Sequence, residues 1–338
     1  MNKEMAKAPP ANMKQIMIQM VSSRCLSIAA NMGIADTIGD TPYPINLLSE
    51  KLGVDENALF RLIRVLSTQG IFSIDEHQII SNTEISDYLK SDVTGSQRNF
   101  ARMMGGSWMW KAFNSLEYSI ETGKPAFSIA FPDSDNPFEY FKHDSPQDGR
   151  IFNHAMSDFS YSFDKPLVDA YDFSSMSHVV DLGGAEGCLL NAIKSEYPKV
   201  KTTLFDLPEV ILQKQGTDTP VEFNLAGGDF FQKIEPIADC YTIKYVLHNW
   251  NDDACIKILE NCRNVIKDNG RLLIMDMLIK EDEPQVFEKS LDIVMLLLLG
   301  AKERSAQEFE DLLAKAGFKI NRVIPSKCPL SIIEAVPV

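Results

Sequence analysis

The chain has 338 residues, 45% of them hydrophobic, and a formal net charge of -14 at pH 7. That hydrophobic share excludes a disordered chain and supplies core for one large domain or two. So acidic a surface repels phosphate backbones, which argues against non-specific nucleic-acid binding. The cysteines are Cys25, Cys188, Cys240, Cys255, Cys262 and Cys328, with no CxxC pair among them. They read as reduced thiols of a cytoplasmic protein. Cys255 and Cys262 can share a helix face, but no histidine pattern completes a metal site, and no metal is expected. The opening segment, MNKEMAKAPPANMK, lacks the apolar core of a signal peptide. The longest apolar run, Ile293 to Leu299, falls far short of the roughly 20 residues that span a bilayer, so no membrane association is expected.

In chain order, residues 13–36 read as a helix, and Pro42 and Pro44 then break the chain. Ile45 to Leu52 suits a short helix, Gly53 and Asp55 a turn, and Glu56 to Gln69 a second helix. Ile71 to Ile74 and Gln78 to Ser81 suit a small hairpin, so the unit has the pattern of a winged helix. Residues 43–90 test the DNA-binding reading of such a unit. Lys51, Arg61, Arg64 and Lys90 face Glu50, Asp55, Glu56, Asp75, Glu76, Glu84 and Asp87, a balance of the wrong sign for phosphates. An architectural or dimerising role is expected instead. Residues 97–165 are rich in aromatics and methionine, which suits core and also a flat apolar pocket. Within them, Glu121 to Gly149 reads as a partly irregular stretch.

From about residue 176 strands and helices alternate. Strands are expected at His178–Leu182, Thr202–Phe205, Val221–Leu225, Cys240–Ile243, Arg271–Met277, Lys319–Ile324 and Leu330–Ala335. Helices are expected at Glu186–Glu196, from Pro208, at Asp252–Ile266 and at Ala306–Ala316. The alternation predicts an α/β fold, a Rossmann-like seven-stranded sheet with helices on both faces. The division into domains is read as 1–165, mainly helical, and 166–338, α/β.

The central signal is Val179-Val180-Asp181-Leu182-Gly183-Gly184-Ala185-Glu186-Gly187 at a strand-to-helix junction. Small residues there let the backbone approach a bound nucleotide or amino-acid moiety closely. The dinucleotide pattern G-x-G-x-x-G fails, and the spacing is acidic-x-Gly-x-small-x-Gly. Asp206 ends the next strand, where a carboxylate accepts from both hydroxyls of a ribose. Asp229 follows Gly227-Gly228 and precedes Phe230, which suits an adenine amino group and the face of its base.

Together with Tyr171-Asp172-Phe173-Ser174, Phe205-Asp206-Leu207-Pro208, Gly228-Asp229-Phe230-Phe231 and Lys244-Tyr245-Val246-Leu247-His248-Asn249-Trp250, the sequence resembles the caffeate/hydroxyneurosporene/acetylserotonin type of small-molecule O-methyltransferase over nearly its whole length. The resemblance implies S-adenosylmethionine as cofactor, contacted by Gly183, Asp206, Asp229, Phe230 and Lys244, with Asp181 and Leu207 in the same site. It implies a winged-helix dimerisation domain, hence a homodimer, and a small aromatic substrate of secondary metabolism. It also implies an acceptor pocket drawing on Met103, Trp108, Phe152, Asn153, Met156, Phe159 and Met295. The last of these, in an apolar run, also reads as plain helix core.

A phenol, like tyrosine, titrates near 10 and is mostly protonated at neutral pH. A base raises its reactivity, and His248 is the expected one, since imidazole accepts a proton at pH 7. The resemblance supplies Asp276 and Glu303 as the acids that hold it. The bland reading of Glu303 is a cap on the helix that follows. Two departures from the family stand out. Ala185 replaces a usual glycine, which narrows the gap beside the cofactor or requires φ below zero. Asn249 replaces a usual aspartate after the histidine, keeping a hydrogen bond and losing a charge. The alternatives to O-methylation are N- or C-methylation on the same fold, or cofactor binding without catalysis.

Overall fold

The computed structural model describes residues 11–216 and 221–338. The opening segment read against a signal peptide lies mostly outside them. The chain divides into two compact units. One comprises the chain up to Trp110 with Ser145–Phe159, the other Lys111–Asp144 with Ser160–Val338.

In the first unit the expected single N-terminal helix is two, Ala11–Met32 and Ile34–Ile38. Gly33 between them has φ 66, which a right-handed helix cannot continue through. Helices Ile45–Leu52 and Glu56–Ser67 follow, joined at Gly53, with Asp55 accepting from the Ala58 amide at 2.8 Å as N-cap. The wing is β2 (Phe72–Ile74) paired antiparallel with β3 (Ile79–Asn82). Pro44, read as a breaker, lies in a further strand, β1 (Tyr43–Pro44), on the free edge of β3. An edge position tolerates a residue that lacks an amide donor. Ile34, Leu48, Ile63, Leu66, Phe72 and Ile80 form the centre of this unit's core.

The second unit holds the sheet. Its strands are β4 (His178–Leu182), β5 (Lys201–Asp206), β6 (Asn224–Gly227), β7 (Cys240–Lys244), β8 (Arg271–Met277), β9 (Phe318–Pro325) and β10 (Leu330–Pro337), in the order β6-β5-β4-β7-β8-β10-β9. All pairs are parallel except those of β10, antiparallel to β8 and β9. Val179, Val180, Leu182, Leu204 and Ile243 are fully buried, as strands covered on both faces require. The strand order reverses between β4 and β7, and open parallel sheets bind ligands beyond the strand ends at such a point.

Two expectations shift here. The strand placed at Val221–Leu225 is β6, three residues later, because Gly227 pairs with Asp206 at the end of β5. The stretch read as partly irregular holds helices Phe127–Ala130 and Pro137–His143 and the start of Pro146–Ala170. Pro137 begins a helix rather than breaking one, with Asn136 accepting from the Phe138 and Glu139 amides.

Candidate active site

Beyond β4 the chain turns through residues 183–187 into the helix Cys188–Glu196. Gly183, Ala185 and Gly187 have φ of 73, 48 and 74. Gly187 is required twice over, since a Cβ there would also overlap the Phe223 ring. Of the two outcomes expected for Ala185, a narrowed gap or φ below zero, the second does not occur. The Ala185 Cβ is accepted in the left-handed region, where alanine is strained. Its amide donates to Asp206 Oδ2 at 2.9 Å, which holds that conformation. Glu186 does not open the helix, which starts two residues later, and is instead ion-paired with Lys214. Asp181 lies buried under the loop. Its Oδ1 accepts from Thr242 at 2.7 Å, and a Cβ on Gly184 would overlap its Oδ2.

Asp206 also accepts from the Leu207 amide at 2.7 Å through Oδ1, and burial pushes its carboxyl above the usual range. Asp229 accepts from the Phe231 amide at 2.8 Å, and Asn261 donates to the Phe230 carbonyl at 2.8 Å. A Cβ on Gly183 would fall 3.0 Å from Val246 and 3.4 Å from the Phe230 ring, so the glycine keeps backbone bare beside an aromatic face. Lys244, at the end of β7, is half-buried, and its largely covered side chain is ion-paired with Asp164. Two carboxylates, a bare backbone, an aromatic ring and an ammonium at adjacent strand ends fit a nucleoside carrying an amino-acid tail.

The second half of the site follows β7. Tyr245 has φ 55, a left-handed conformation for a bulky residue, fixed by its amide donating to the Met275 carbonyl at 3.1 Å. The next turn, Leu247–Asn249, carries His248, whose Nδ1 lies 2.8 Å from Glu303 Oε1. One nitrogen or oxygen of His248, Asp276 and Glu303 lies within 4.8 Å of those of the others. Asp276 is fully buried, and among the described residues neither of its oxygens has a hydrogen-bond donor, nor has Glu303 Oε2. Burial pushes the Asp276 carboxyl up, more than the His248 charge pulls it down. Burial alone would lower the His248 pKa, but the Glu303 bond and the Asp276 and Glu303 charges outweigh it, and the net shift is upward. Glu303 is not the helix cap, a role Ser305 fills in a reciprocal capping box with Glu308. Asn249 keeps a hydrogen bond, donating to the Tyr245 carbonyl at 3.2 Å.

Residues outside the sequence reading hold this turn. The Arg304 guanidinium is fully buried and donates to the Leu247 carbonyl at 3.0 Å, the Trp250 carbonyl at 2.8 Å and Asp252 at 2.8 Å. Asp292 accepts from the Glu303 amide at 2.9 Å. Arg304 adjoins Glu303 in sequence, the one signal that pointed to it. Nothing in the sequence marked Asp164. Of the expected acceptor residues, Met103, Trp108, Phe152, Asn153, Met156 and Phe159 fall in the first unit and Met295 in the second. Met103, Trp108 and Met295 are buried, Phe152, Met156 and Phe159 half-buried and Asn153 exposed.

Residues 113–319 match the model of the O-methyltransferase domain, and residues 15–92 that of the O-methyltransferase dimerisation domain. The phenazine O-methyltransferase PhzM of Lysobacter antibioticus is 36% identical over 98% of each chain. The mitomycin biosynthesis 6-O-methyltransferase of Streptomyces lavendulae is 32% identical over 92% of this chain and 90% of its own. Among solved structures, the S-adenosylhomocysteine-bound form of CalO1, a methyltransferase in calicheamicin biosynthesis, superposes with a TM-score of 0.87 at 28% identity, covering 97% of both chains. A glycine loop and two strand-end acids that suit an adenosyl amino acid, on a sheet of this order and in a chain so matched, place the protein in the O-methyltransferase family, as an enzyme that uses S-adenosylmethionine.

Proposed function

We propose that the enzyme methylates the hydroxyl of a small aromatic, phenolic metabolite, with His248 as general base. The carrying observation is the 2.8 Å contact of His248 Nδ1 with a buried Glu303. A carboxylate there accepts a hydrogen bond from Nδ1–H, which fixes that tautomer and leaves the Nε2 lone pair for an acceptor hydroxyl. S-adenosylmethionine supplies a methyl group already activated on a sulfonium. Asp206 is assigned to its ribose, with Leu207 beside it, Asp229 and Phe230 to its adenine, and Gly183 and Lys244 to its amino-acid end, while Asp181 supports the loop from below. The protein's remaining task is to remove a phenolic proton, and the two acids beside His248 stabilise the imidazolium that results. Relatives named for phenazine and 3-amino-4-hydroxybenzoate substrates support the aromatic class. Incubation with matched phenols and anilines, read by mass spectrometry, tests the proposal. O-methyl products that vanish in His248→Ala are expected, and N-methyl products from the anilines alone would overturn it.

The working form is a homodimer built on the first unit. Ile16, Met17, Ile18, Met20 and Val21 of the first helix are 41–65% exposed within residues matched by the dimerisation domain. So continuous an apolar strip calls for a covering surface. Light scattering on Ile16→Glu/Met20→Glu should return the mass of one chain where the wild type returns two.

A further inference from the structure

The ion pair between Lys244 and Asp164 is nearly closed to water, with side chains 8% and 3% exposed. Lys244 occupies Asp164 Oδ1, while Oδ2 is buried without a donor among the described residues. A carboxylate oxygen shut from water with nothing to accept from is costly. The pair acts electrostatically on Asp181, before the glycine loop, and on Cys188, after it, so it stands at the loop itself. Burial raises the Asp164 carboxyl in spite of Lys244, the behaviour of an acid short of positive partners. An ammonium has three donors, and Lys244 spends one on Asp164, which leaves two for a second acceptor.

An amino-acid tail carries the complementary pair of charges. We propose that Asp164 binds the cofactor, its Oδ2 accepting from the α-ammonium of S-adenosylmethionine while Lys244, steadied by Oδ1, donates to the α-carboxylate. The pair reads both ends of one zwitterion and selects an adenosyl amino acid over other adenosyl compounds. The inference rests on the assignment of Lys244 to the amino-acid end, and it deepens that assignment.

Calorimetry tests it without turnover. Wild type and Asp164→Asn are titrated with S-adenosylhomocysteine and with its analogue in which hydrogen replaces the α-amino group. The wild type should bind S-adenosylhomocysteine about 10- to 100-fold more tightly than the analogue, the range for a charge-assisted hydrogen bond. Asp164→Asn should bind the two within about twofold, because Lys244 holds the amide oxygen and the amide nitrogen, a donor, then faces the α-amino group. Equal binding of both ligands by the wild type, as when a water satisfies Oδ2, overturns the role of Asp164 and leaves the cofactor assignment standing. Full discrimination by Asp164→Asn, with the ammonium held elsewhere, overturns it as well. No binding of S-adenosylhomocysteine to the wild type would overturn the cofactor site altogether. Asp164→Ser serves as the second replacement should asparagine disturb the helix.

Discussion

The ends of β4 and β7 are neighbours in the sheet, and the chain shapes them by opposite means. After β4 it uses small residues and left-handed backbone at Gly183, Ala185 and Gly187, and the loop is held by a hydrogen bond from the Ala185 amide to Asp206. After β7 it uses buried charge: His248, Asp276, Glu303 and Arg304 are all at least nine-tenths covered. The first end stores its cost as conformational strain, the second as desolvation of ionisable groups. A surface of small residues suits a ligand that must be approached closely. Buried charge suits a proton that must be moved, since the low dielectric strengthens each interaction. The sharpest way to break this comparison is to remove the proposed proton acceptor. His248→Ala should lower kcat/KM for a phenol by about 10²- to 10⁴-fold. Calorimetric affinity for S-adenosylhomocysteine should hold, because the loop after β4 does not use the histidine. A parallel loss of affinity would mean that the two ends are one structure.

Arg304 supports the second end from beneath. Arg304→Met keeps the side chain's length and removes its donors. The Leu247 carbonyl would keep the Trp250 amide at 3.1 Å, and the Trp250 carbonyl would be left with the weak thiol donor of Cys255 at 3.5 Å. Unfolding by urea should show a loss of about 1–3 kcal/mol, the cost of leaving a buried acceptor unsatisfied. Activity should fall further than stability, since the turn that carries His248 loses its anchor. An unchanged midpoint would show that the turn is held by β8 alone.

Glu303→Gln sharpens the comparison through pH. In the wild type the carboxylate raises the His248 pKa against burial. The proposed base can act only when neutral, so kcat/KM should rise with pH through that raised value. Glutamine keeps a hydrogen bond and drops the charge, so the His248 pKa falls. The acid limb of the pH–rate profile should therefore move to lower pH, while the plateau drops because the imidazolium is less stabilised. A limb that stays in place would disconnect Glu303 from the base.

The two ends also differ in how far they can be read from sequence. The glycine loop and the acids Asp206 and Asp229 are local patterns at strand ends, and periodicity located β4 and β8 to the residue. A parallel sheet of seven strands covered by helices followed from the alternation of the two patterns. The supports of His248 come from Asp252, Asp292 and the buried Arg304, brought together only by the fold. No spacing rule marks such residues, because a lone arginine or aspartate in a polar stretch reads as solvated surface. Gly33 and β1 were missed for a related reason: a positive φ within an apolar run and a two-residue edge strand leave almost no local trace.

The smallest effect concerns the loop's own strain. Ala185 at φ 48 stands between two glycines that take the same region freely. In the left-handed region a Cβ crowds the neighbouring carbonyl, while glycine costs more backbone entropy on folding. Where native φ is positive the steric cost is the larger, and Ala185→Gly should stabilise the enzyme by about 0.5–1 kcal/mol. The gain should appear as a higher midpoint of thermal unfolding. Its fate on binding distinguishes two origins. If the strain shapes the cofactor site, S-adenosylhomocysteine should bind the glycine variant less tightly, because a freer loop must be ordered by the ligand. If the Asp206 bond alone fixes the loop, affinity should be unchanged and the stability gain should persist in the complex. A lower midpoint in the variant would show that the alanine conformation is relaxed, and the contrast between a strained end and a charged end would lose its first half.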